Sequence, residues 1–177
     1  MQYVYIHGFG TTGANSNKFK KILAHATANN AKAIALEWNE QQPDILQQLT
    51  SQLDNQINWN EPVCLIGSST GGNFTYQLLD QLSDKEISFV LINPLLNVEQ
   101  RKIDNYNFPM LLANQLKNPS ADLANGLILL GKNDKVLDYN YTYERLHKLN
   151  KIIVGEWNHT LSDLDTADLL RLIDSVN

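Results

Sequence analysis

A glycine-rich segment with two adjacent serines follows an apolar run in the middle of the chain. It reads IGSSTGGN over residues 66–73, and Gly67 to Gly71 fit the pattern G-x-S-x-G. In that pattern the serine occupies a strained turn between a strand and a helix, where its hydroxyl is exposed as a nucleophile. Ser69 has glycine two positions away on each side and Ser68 does not, so we predict that Ser69 is the nucleophile. The alternative is a glycine-rich turn without a chemical role.

A serine hydroxyl needs a base within hydrogen-bonding distance because it is a weak nucleophile at neutral pH. The chain has four histidines. His25 and His147 lie within amphipathic helical patterns, and His7 begins the segment HGFG, where we interpret it as a structural residue. His159 follows the last apolar run and precedes the last helical pattern, so we predict that it is the base.

The base must in turn be oriented by an acid. Asp134 comes three residues after the glycine that ends an apolar run, and the order Ser69, Asp134, His159 matches the Ser, Asp, His order of α/β hydrolases. Asp138 competes with it but suits the N-cap of the following helix. Glu156 lies so close to the histidine in the chain that the backbone would have to reverse sharply. We therefore predict Asp134 as the acid.

Acyl transfer also needs backbone N–H groups that stabilise an oxyanion. The residue after the nucleophile, Thr70, would supply one N–H at a helix N-terminus. The glycines of HGFG allow close approach of the backbone, and Phe9 in that segment is the predicted second donor.

These residues require a scaffold that brings strand ends together. Six short apolar runs without polar alternation predict strands covered on both faces, and amphipathic segments separate them. The fold is therefore predicted to be α/β, one domain over residues 1–177 with a mostly parallel six-stranded sheet and helices on both faces. The predicted strands are residues 3–6, 33–36, 63–67, 87–93, 127–131 and 152–155.

Helices are predicted from apolar residues at the spacing of one buried face. Pro43 suits the first turn of the second helix, where its missing N–H is no loss. The residues predicted to be buried are Phe19, Ile22, Leu23 and Ala26; Leu46, Leu49, Leu53 and Ile57; Phe74, Leu78 and Leu82; Tyr139, Tyr143 and Leu146; and Leu161, Leu164, Leu169, Ile173 and Val176.

One segment, residues 93–125, interrupts this alternation. It contains three prolines and one clear helical stretch near 110–117, which predicts a short lid or cap-like insertion. Its apolar residues are the predicted wall of an acyl pocket: Leu95, Leu96, Phe108, Met110 and Leu111. The alternatives are an ordinary crossover helix and plain core packing.

Composition narrows the function classes. The net charge of -5 offers no basic surface for nucleic acid, and the N-terminal residues lack the pattern of a signal peptide or a spanning helix. The single cysteine, Cys64, excludes an internal disulfide. We expect a cytoplasmic protein that binds a small-molecule acyl ester, contacts neither nucleic acid nor membrane, and is a monomer by default.

Several motifs together resemble the YqiA-like small esterases of the α/β-hydrolase superfamily. They are His7-Gly8-Phe9-Gly10, Gly67 to Gly72, Asn93-Pro94, Asp134 with the following VLDY, and Asn158-His159. The resemblance implies a compact α/β-hydrolase fold without the first two strands of larger relatives, and esterase activity without a metal or organic cofactor. It implies the same roles for Ser69, Asp134 and His159. Glu156-Trp157-Asn158 are bulkier than the small residues often found there, which predicts a bulkier pocket rim.

The predicted function is therefore a serine esterase that forms an acyl-enzyme intermediate. One alternative is a thioesterase or transacylase, because the same nucleophile can attack a thioester. Another is a ligand-binding protein on a hydrolase scaffold, since fold does not imply function. A flavodoxin-like nucleotide-binding domain is disfavoured because residues 67–72 lack both the Walker lysine and the G-x-G-x-x-G spacing.

Overall fold

All six predicted strands form one parallel sheet, which confirms the predicted α/β class. The computed structural model of the chain describes residues 1–104, 107–119 and 123–176. The order across the sheet is β2-β1-β3-β4-β5-β6, and each neighbouring pair is parallel. The strands are β1 (Gln2–Ile6), β2 (Lys32–Leu36), β3 (Val63–Ser68), β4 (Ile87–Ile92), β5 (Leu127–Gly131) and β6 (Lys151–Gly155).

The strands are apolar throughout because helices cover both faces of the sheet. Successive side chains of a strand point to opposite faces. In β1, Val4 and Ile6 pack into one core, whereas Tyr3 and Tyr5 pack into the other. A strand with one face in water would alternate with polar residues, so this pattern follows from burial on both sides.

Helices within the described residues pack on both faces, as predicted. α1 and α7 contribute side chains to one core, and α2, α3 and α6 contribute to the other. The helices are α1 (Asn17–Ala28), α2 (Ile45–Gln56), α3 (Thr70–Gln81), α4 (Val98–Asp104), α5 (Met110–Ala113), α6 (Tyr139–Leu146) and α7 (Thr166–Asp174).

Three details of the predicted helices are wrong. Pro43 precedes α2 instead of lying in its first turn, because Asp44 is the N-cap residue and has a left-handed backbone with φ 57°. Leu23 and Tyr143 were predicted to be buried but are each 42% exposed. The ring of Tyr143 instead stacks on His147, with centroids 5.3 Å apart.

The last helix begins later than its apolar pattern suggests. Asp165 is the N-cap, and its carboxylate accepts hydrogen bonds from the backbone N–H of Ala167 at 2.8 Å and of Asp168 at 3.4 Å. Leu161 and Leu164 are buried as predicted, but they lie in the loop before the helix.

The segment 93–125 contains more helix than predicted. α4 was not predicted, and α5 ends at Ala113, well before residue 117. Residues 105–106 and 120–122 of the proposed lid lie outside the described residues. Several described residues of this segment, Val98, Leu112 and Leu116 among them, are buried in the same core as α2 and α3. Its role as a lid stays a prediction.

The direction in which the chain adds strands to the sheet reverses between β1 and β3. The chain leaves β1 for β2 on one side, and leaves β3 for β4 on the other. Such a reversal opens a ligand-binding crevice at the strand ends in open α/β sheets.

No helix within the described residues is long and apolar enough to cross a bilayer.

Candidate active site

Ser69 occupies a sharp turn between β3 and α3. Its backbone has φ 54° and ψ -120°, which a residue with a side chain rarely adopts. The turn is anchored on both sides: the Ser69 N–H donates to Ile92 O at 3.0 Å, and the Leu95 N–H donates to Ser69 O at 2.9 Å. Although Ser69 is the N-cap residue of α3, its hydroxyl makes no capping bond. That hydroxyl is therefore free for another partner.

The glycines around Ser69 are required by close approach of neighbouring backbone. A Cβ atom at Gly67 would come within 2.7 Å of the carbonyl oxygen of Gly71. A Cβ atom at Gly71 would overlap the carbonyl oxygens at the end of β1, and one at Gly72 would lie 2.7 Å from Cβ of Pro94. Side chains at these positions would push the turn away from β1 and from the loop after β4.

Ser69, His159 and Asp134 form a chain of hydrogen bonds. The hydroxyl oxygen of Ser69 lies 3.1 Å from Nε2 of His159, and Nδ1 of the same ring lies 2.7 Å from Oδ2 of Asp134. The His159 side chain is 21% exposed, whereas the Asp134 carboxylate is 1% exposed. The structure thus brings the three predicted residues together, and their catalytic roles stay predictions.

The Asp134 carboxylate is oriented by the loop that follows it. Its Oδ1 accepts hydrogen bonds from the N–H groups of Val136 at 2.7 Å and Leu137 at 3.0 Å. The other oxygen, Oδ2, therefore faces His159. A carboxylate held this way keeps the Nδ1–H tautomer of the imidazole and leaves Nε2 to accept a proton.

Asn93, directly after β4, links the two loops that carry the acid and the histidine. Its Oδ1 accepts the N–H of Gly131 at 2.8 Å, and its Nδ2 donates to the carbonyl oxygens of His159 at 2.9 Å and Asn158 at 3.2 Å. The residue is buried and has φ 40°. In the sequence, Asn93 stands out only as part of the Asn93-Pro94 motif. The signal that could have identified its role is an asparagine directly after a predicted strand, at the sheet edge where the strands before Asp134 and His159 also end.

The loop after β1 lies against Ser69. A Cβ atom at Gly8 would lie 3.2 Å from Cβ of Ser69 and 3.8 Å from its hydroxyl oxygen, so this backbone borders the nucleophile. The N–H groups of Phe9 and Thr70 donate to no acceptor in the described part of the chain. The two predicted oxyanion donors thus have no other partner there, and their role stays a prediction.

His7 is a buried structural residue of that loop. Its ring stacks on Trp38 with centroids 4.9 Å apart, Nδ1 lies 2.8 Å from Gly8 O, and the Trp38 indole N–H donates to His7 O at 3.0 Å. Burial lowers the pKa of the imidazole, which favours its neutral form. These contacts match the structural role predicted for it.

The five predicted pocket residues are divided between core and surface. Leu95 and Leu96 are each 1% exposed and Phe108 is 7% exposed, whereas Met110 and Leu111 are 66% and 46% exposed. Phe108 also contacts the ring of Phe9, with centroids 5.7 Å apart. This part of the segment therefore adjoins the loop after β1, and the acyl-pocket role stays a prediction.

The rejected candidates have other partners. Asp138 caps α6 by accepting the N–H of Asn140 at 2.9 Å, as predicted. Glu156 pairs with Lys132 at 2.7 Å and raises the pKa of that ammonium. Neither carboxylate hydrogen-bonds to His159 within the described residues.

The remaining histidines and the second serine also lie away from this arrangement. His25 pairs with Asp174 at 2.8 Å, and Nδ1 of His147, the C-cap residue of α6, lies 3.0 Å from Tyr143 O. Ser68 is a buried strand residue. Among the described residues, no group of three or more His, Cys, Asp or Glu side chains could hold a metal ion.

Solved structures with the same architecture are α/β hydrolases of low sequence identity. The alpha/beta hydrolase domain-containing protein 10 from mouse has 15% identity and a TM-score of 0.78, over 99% of this chain and 90% of that one. A pyrethroid hydrolase from Sphingobium faniae JZ-2 has 11% identity and a TM-score of 0.66, over 99% and 98%. Est1E from Butyrivibrio proteoclasticus, solved with ferulic acid bound, has 12% identity and a TM-score of 0.70, over 99% and 86%. These similarities show the α/β-hydrolase fold.

The family comparison covers nearly the whole chain. No curated protein sequence matches this chain. A family model described as "Uncharacterised protein family (UPF0227)" matches residues 2–174, a range that includes the loop after β1, the Ser69 turn, Asp134 and His159. The strand order and the positions of these residues fit the resemblance drawn from the sequence, and the chain belongs to the UPF0227 family, the YqiA family.

Proposed function

We propose that this chain is a serine hydrolase that cleaves small acyl esters through a covalent acyl-enzyme. The observation that carries the proposal is the hydrogen-bonded chain from Ser69 through His159 to Asp134 at 3.1 Å and 2.7 Å. A nucleophile, a base and an orienting acid in this geometry are the parts that serine hydrolysis needs.

In the first half-reaction, the hydroxyl oxygen of Ser69 attacks the ester carbonyl carbon while Nε2 of His159 takes the hydroxyl proton. The carbonyl oxygen becomes an oxyanion, and the N–H groups of Phe9 and Thr70 donate to it. The tetrahedral intermediate then collapses: the bond to the alcohol oxygen breaks, and His159 gives its proton to that oxygen. Alcohol leaves, and the acyl group stays on Ser69.

In the second half-reaction, water replaces the serine hydroxyl. His159 takes a proton from water as the water oxygen attacks the acyl carbon. It then returns a proton to the Ser69 oxygen as the bond between that oxygen and the acyl carbon breaks. The products are a carboxylic acid and free enzyme. Throughout, Asp134 keeps the imidazole oriented and stabilises its protonated form without becoming protonated itself.

The names of two structurally similar proteins are consistent with ester chemistry. One is a pyrethroid hydrolase, and another was solved with ferulic acid bound. Their low identity carries the fold to this chain, and the choice of an ester substrate rests on the site described above.

The test is labelling and turnover in the purified protein. We expect a fluorophosphonate probe to label the wild type and p-nitrophenyl acetate to be hydrolysed, and we expect Ser69→Ala to lose both. Ser68→Ala is the matched control because it removes the neighbouring hydroxyl, and it should still be labelled. Full ester turnover by Ser69→Ala would overturn the proposal. Failure to label the wild type would favour a ligand-binding protein on the same scaffold.

Thioester cleavage and acyl transfer use the same acyl-enzyme and are separated by substrate and product. With acyl-CoA and a matched acyl ester at equal concentration, we expect faster turnover of the ester. We also expect free acid to be the product when glycerol is offered as a second acceptor. A preference for acyl-CoA, or acyl glycerol as the main product, would replace the esterase proposal with one of these activities.

A further inference from the structure

A cavity of about 520 Å³ lies between the start of α1 and the loop that follows His159. Thr11 borders it from the loop after β1, and Thr160 and Ser162 border it from the loop after β6. These residues lie close in sequence to the predicted oxyanion donor Phe9 and to the predicted base His159. The two loops that carry these predicted residues therefore also border the cavity.

The cavity is lined by cations without a countercharge. Lys18, Lys20 and Lys21 line it, and none of its lining residues in the described part of the chain is Asp or Glu. None of the three lysines forms an ion pair with a described residue. The chain as a whole carries a net charge of -5, so this concentration of positive charge opposes the overall balance. A cleft lined by one sign of charge concentrates ligands of the opposite sign.

Lys18 is the lysine of this cavity whose charge is disfavoured by burial. It is partly buried, and burial lowers the pKa of its ammonium to about 8, with repulsion from Lys21 as the second cause. A lysine on an ordinary solvated helix face would keep its usual pKa. A bound anion would supply the missing partner and favour the charged form.

The cavity also offers hydroxyl groups. Ser162 Oγ accepts a hydrogen bond from Asn158 Nδ2 at 2.8 Å, which leaves the hydroxyl hydrogen of Ser162 to donate to a ligand. Ammonium and hydroxyl donors together are suited to a carboxylate, whose two oxygens accept several hydrogen bonds.

The position of the cavity indicates which part of an ester would reach it. In the proposed reaction His159 protonates the departing alcohol oxygen, so the alcohol part must lie next to that side chain. The cavity begins at the residue after His159, on the same loop. A substituent on the alcohol part is therefore the part of the substrate best placed to enter it.

We propose that this cavity binds a carboxylate carried by the alcohol part of the ester substrate, with Lys18 and Lys21 as its main partners. The inference rests on the proposed esterase function and deepens it by naming a substrate class, esters of alcohols or phenols that bear an acidic group.

The first test compares two esters that differ in one charge. The acetate esters 3-carboxyphenyl acetate, an anion at neutral pH, and 3-carbamoylphenyl acetate, its neutral analogue, have similar shapes. We expect the ratio of their kcat/KM values, anionic over neutral, to fall about tenfold in Lys18→Gln and further in the Lys18→Gln/Lys21→Gln double variant. Taking the ratio within each variant removes any general loss of folding or activity. Lys151→Gln, at the amino end of β6, should leave the ratio as in wild type.

The second test measures binding without turnover. In the Ser69→Ala variant, 3-hydroxybenzoate should bind by calorimetry more tightly than 3-hydroxybenzamide, and Lys18→Gln should remove that difference. The affinity for the carboxylate should also fall as salt is raised.

The two proposals fail separately. A wild type that hydrolyses neither ester and is not labelled at Ser69 contradicts the esterase function. A wild type that hydrolyses both esters, but with a ratio that Lys18→Gln leaves unchanged, overturns the carboxylate site alone. Equal binding of 3-hydroxybenzoate and 3-hydroxybenzamide to Ser69→Ala would overturn it as well.

Discussion

The hydroxyl of Ser69 is available to His159 because the serine backbone is strained. A serine at a helix N-cap ordinarily accepts a hydrogen bond from the first turn. With φ 54° and ψ -120°, Ser69 makes no such bond and its hydroxyl oxygen lies 3.1 Å from Nε2 of His159. A conformation of this kind costs roughly 1–3 kcal/mol, and the surrounding structure must hold it in place. Backbone hydrogen bonds to Ile92 and from Leu95 do so.

Also at the residue scale, the role proposed for Asp134 predicts that substituting it lowers kcat, whereas substituting the nearby Asp138 does not. In Asp134→Asn the amide would donate to Nδ1, which places the imidazole proton on Nε2 and removes the base. We expect kcat for an activated ester to fall by up to about 10⁴-fold with little change in stability.

Asp138→Ala is the matched control for that substitution. Because Asp138 caps α6, its loss should lower the free energy of unfolding by about 1 kcal/mol and leave kcat unchanged. Urea denaturation and steady-state kinetics on both variants check this pair. A silent Asp134→Asn would mean that a different acid orients His159.

At the scale of elements, Asn93 joins three strand ends. It sits after β4, binds Gly131 at the end of β5, and holds the carbonyl oxygens of Asn158 and His159 after β6. We expect Asn93→Ala to lower kcat by about 10²-fold with little change in KM, because His159 would shift relative to Ser69.

Asn150 provides a control with the same hydrogen-bonding role at the opposite end of β5. Its Oδ1 accepts the N–H of Gly126 at 3.1 Å, and its Nδ2 donates to Leu123 O and Leu146 O at 2.7 Å and 3.0 Å. Asn150→Ala should lose a similar stability, about 1–3 kcal/mol, with kcat unchanged. If both variants lost kcat in proportion to their stability, Asn93 would be a structural residue without a positioning role.

At the scale of the whole molecule, the cavity lined by Lys18, Lys20 and Lys21 concentrates positive charge in a chain of net negative charge. Burial of the Lys18 ammonium there also lowers the stability of the fold. The charged or titratable groups on the elements that border the cavity are His7 in the loop after β1, Lys18, Lys20, Lys21 and His25 on α1, Glu156, His159, Asp163 and Asp165 in the loop after β6, and Asp168, Arg171 and Asp174 on α7. Lys21 is the only charged side chain in the described structure that contributes to the pKa shift of Lys18, and it lowers the pKa further. The folded chain therefore keeps the positive charge of Lys18 at a cost in stability.

The pH dependence of that cost gives a further prediction. The folded pKa of Lys18, about 8, lies below the ordinary 10.5, so below pH 8 both states are protonated and the folded state carries the full penalty. As pH rises from 8 to 10.5 the folded state loses this proton first and the penalty disappears. Lys18→Met should therefore raise the Tm at pH 7, by roughly 2–4 °C for each 1 kcal/mol relieved, and by less at pH 10. A lower Tm at pH 7 would contradict this account, and thermal scans at both values measure it.

Much of the fold and site follows from the sequence alone because the relevant signals are local. Apolar runs predicted the six parallel strands to within one residue at each end. Parallel strands share one carboxyl edge, so Ser69, Asp134 and His159 could be predicted to meet although 65 and 25 residues separate them in the chain. The glycine pattern around Ser69 likewise depends on a turn whose geometry is short-range.

Only the tertiary structure decided what depends on contacts between distant segments. The bond from Asn93 to His159 spans 66 residues, and no periodicity records it. The exposure of Leu23, the helix α4 and the partial burial of Lys18 depend on which elements pack against one another. A local pattern specifies which face of a strand or helix is apolar, whereas the partner of each buried or charged group is set by the packing of the whole chain.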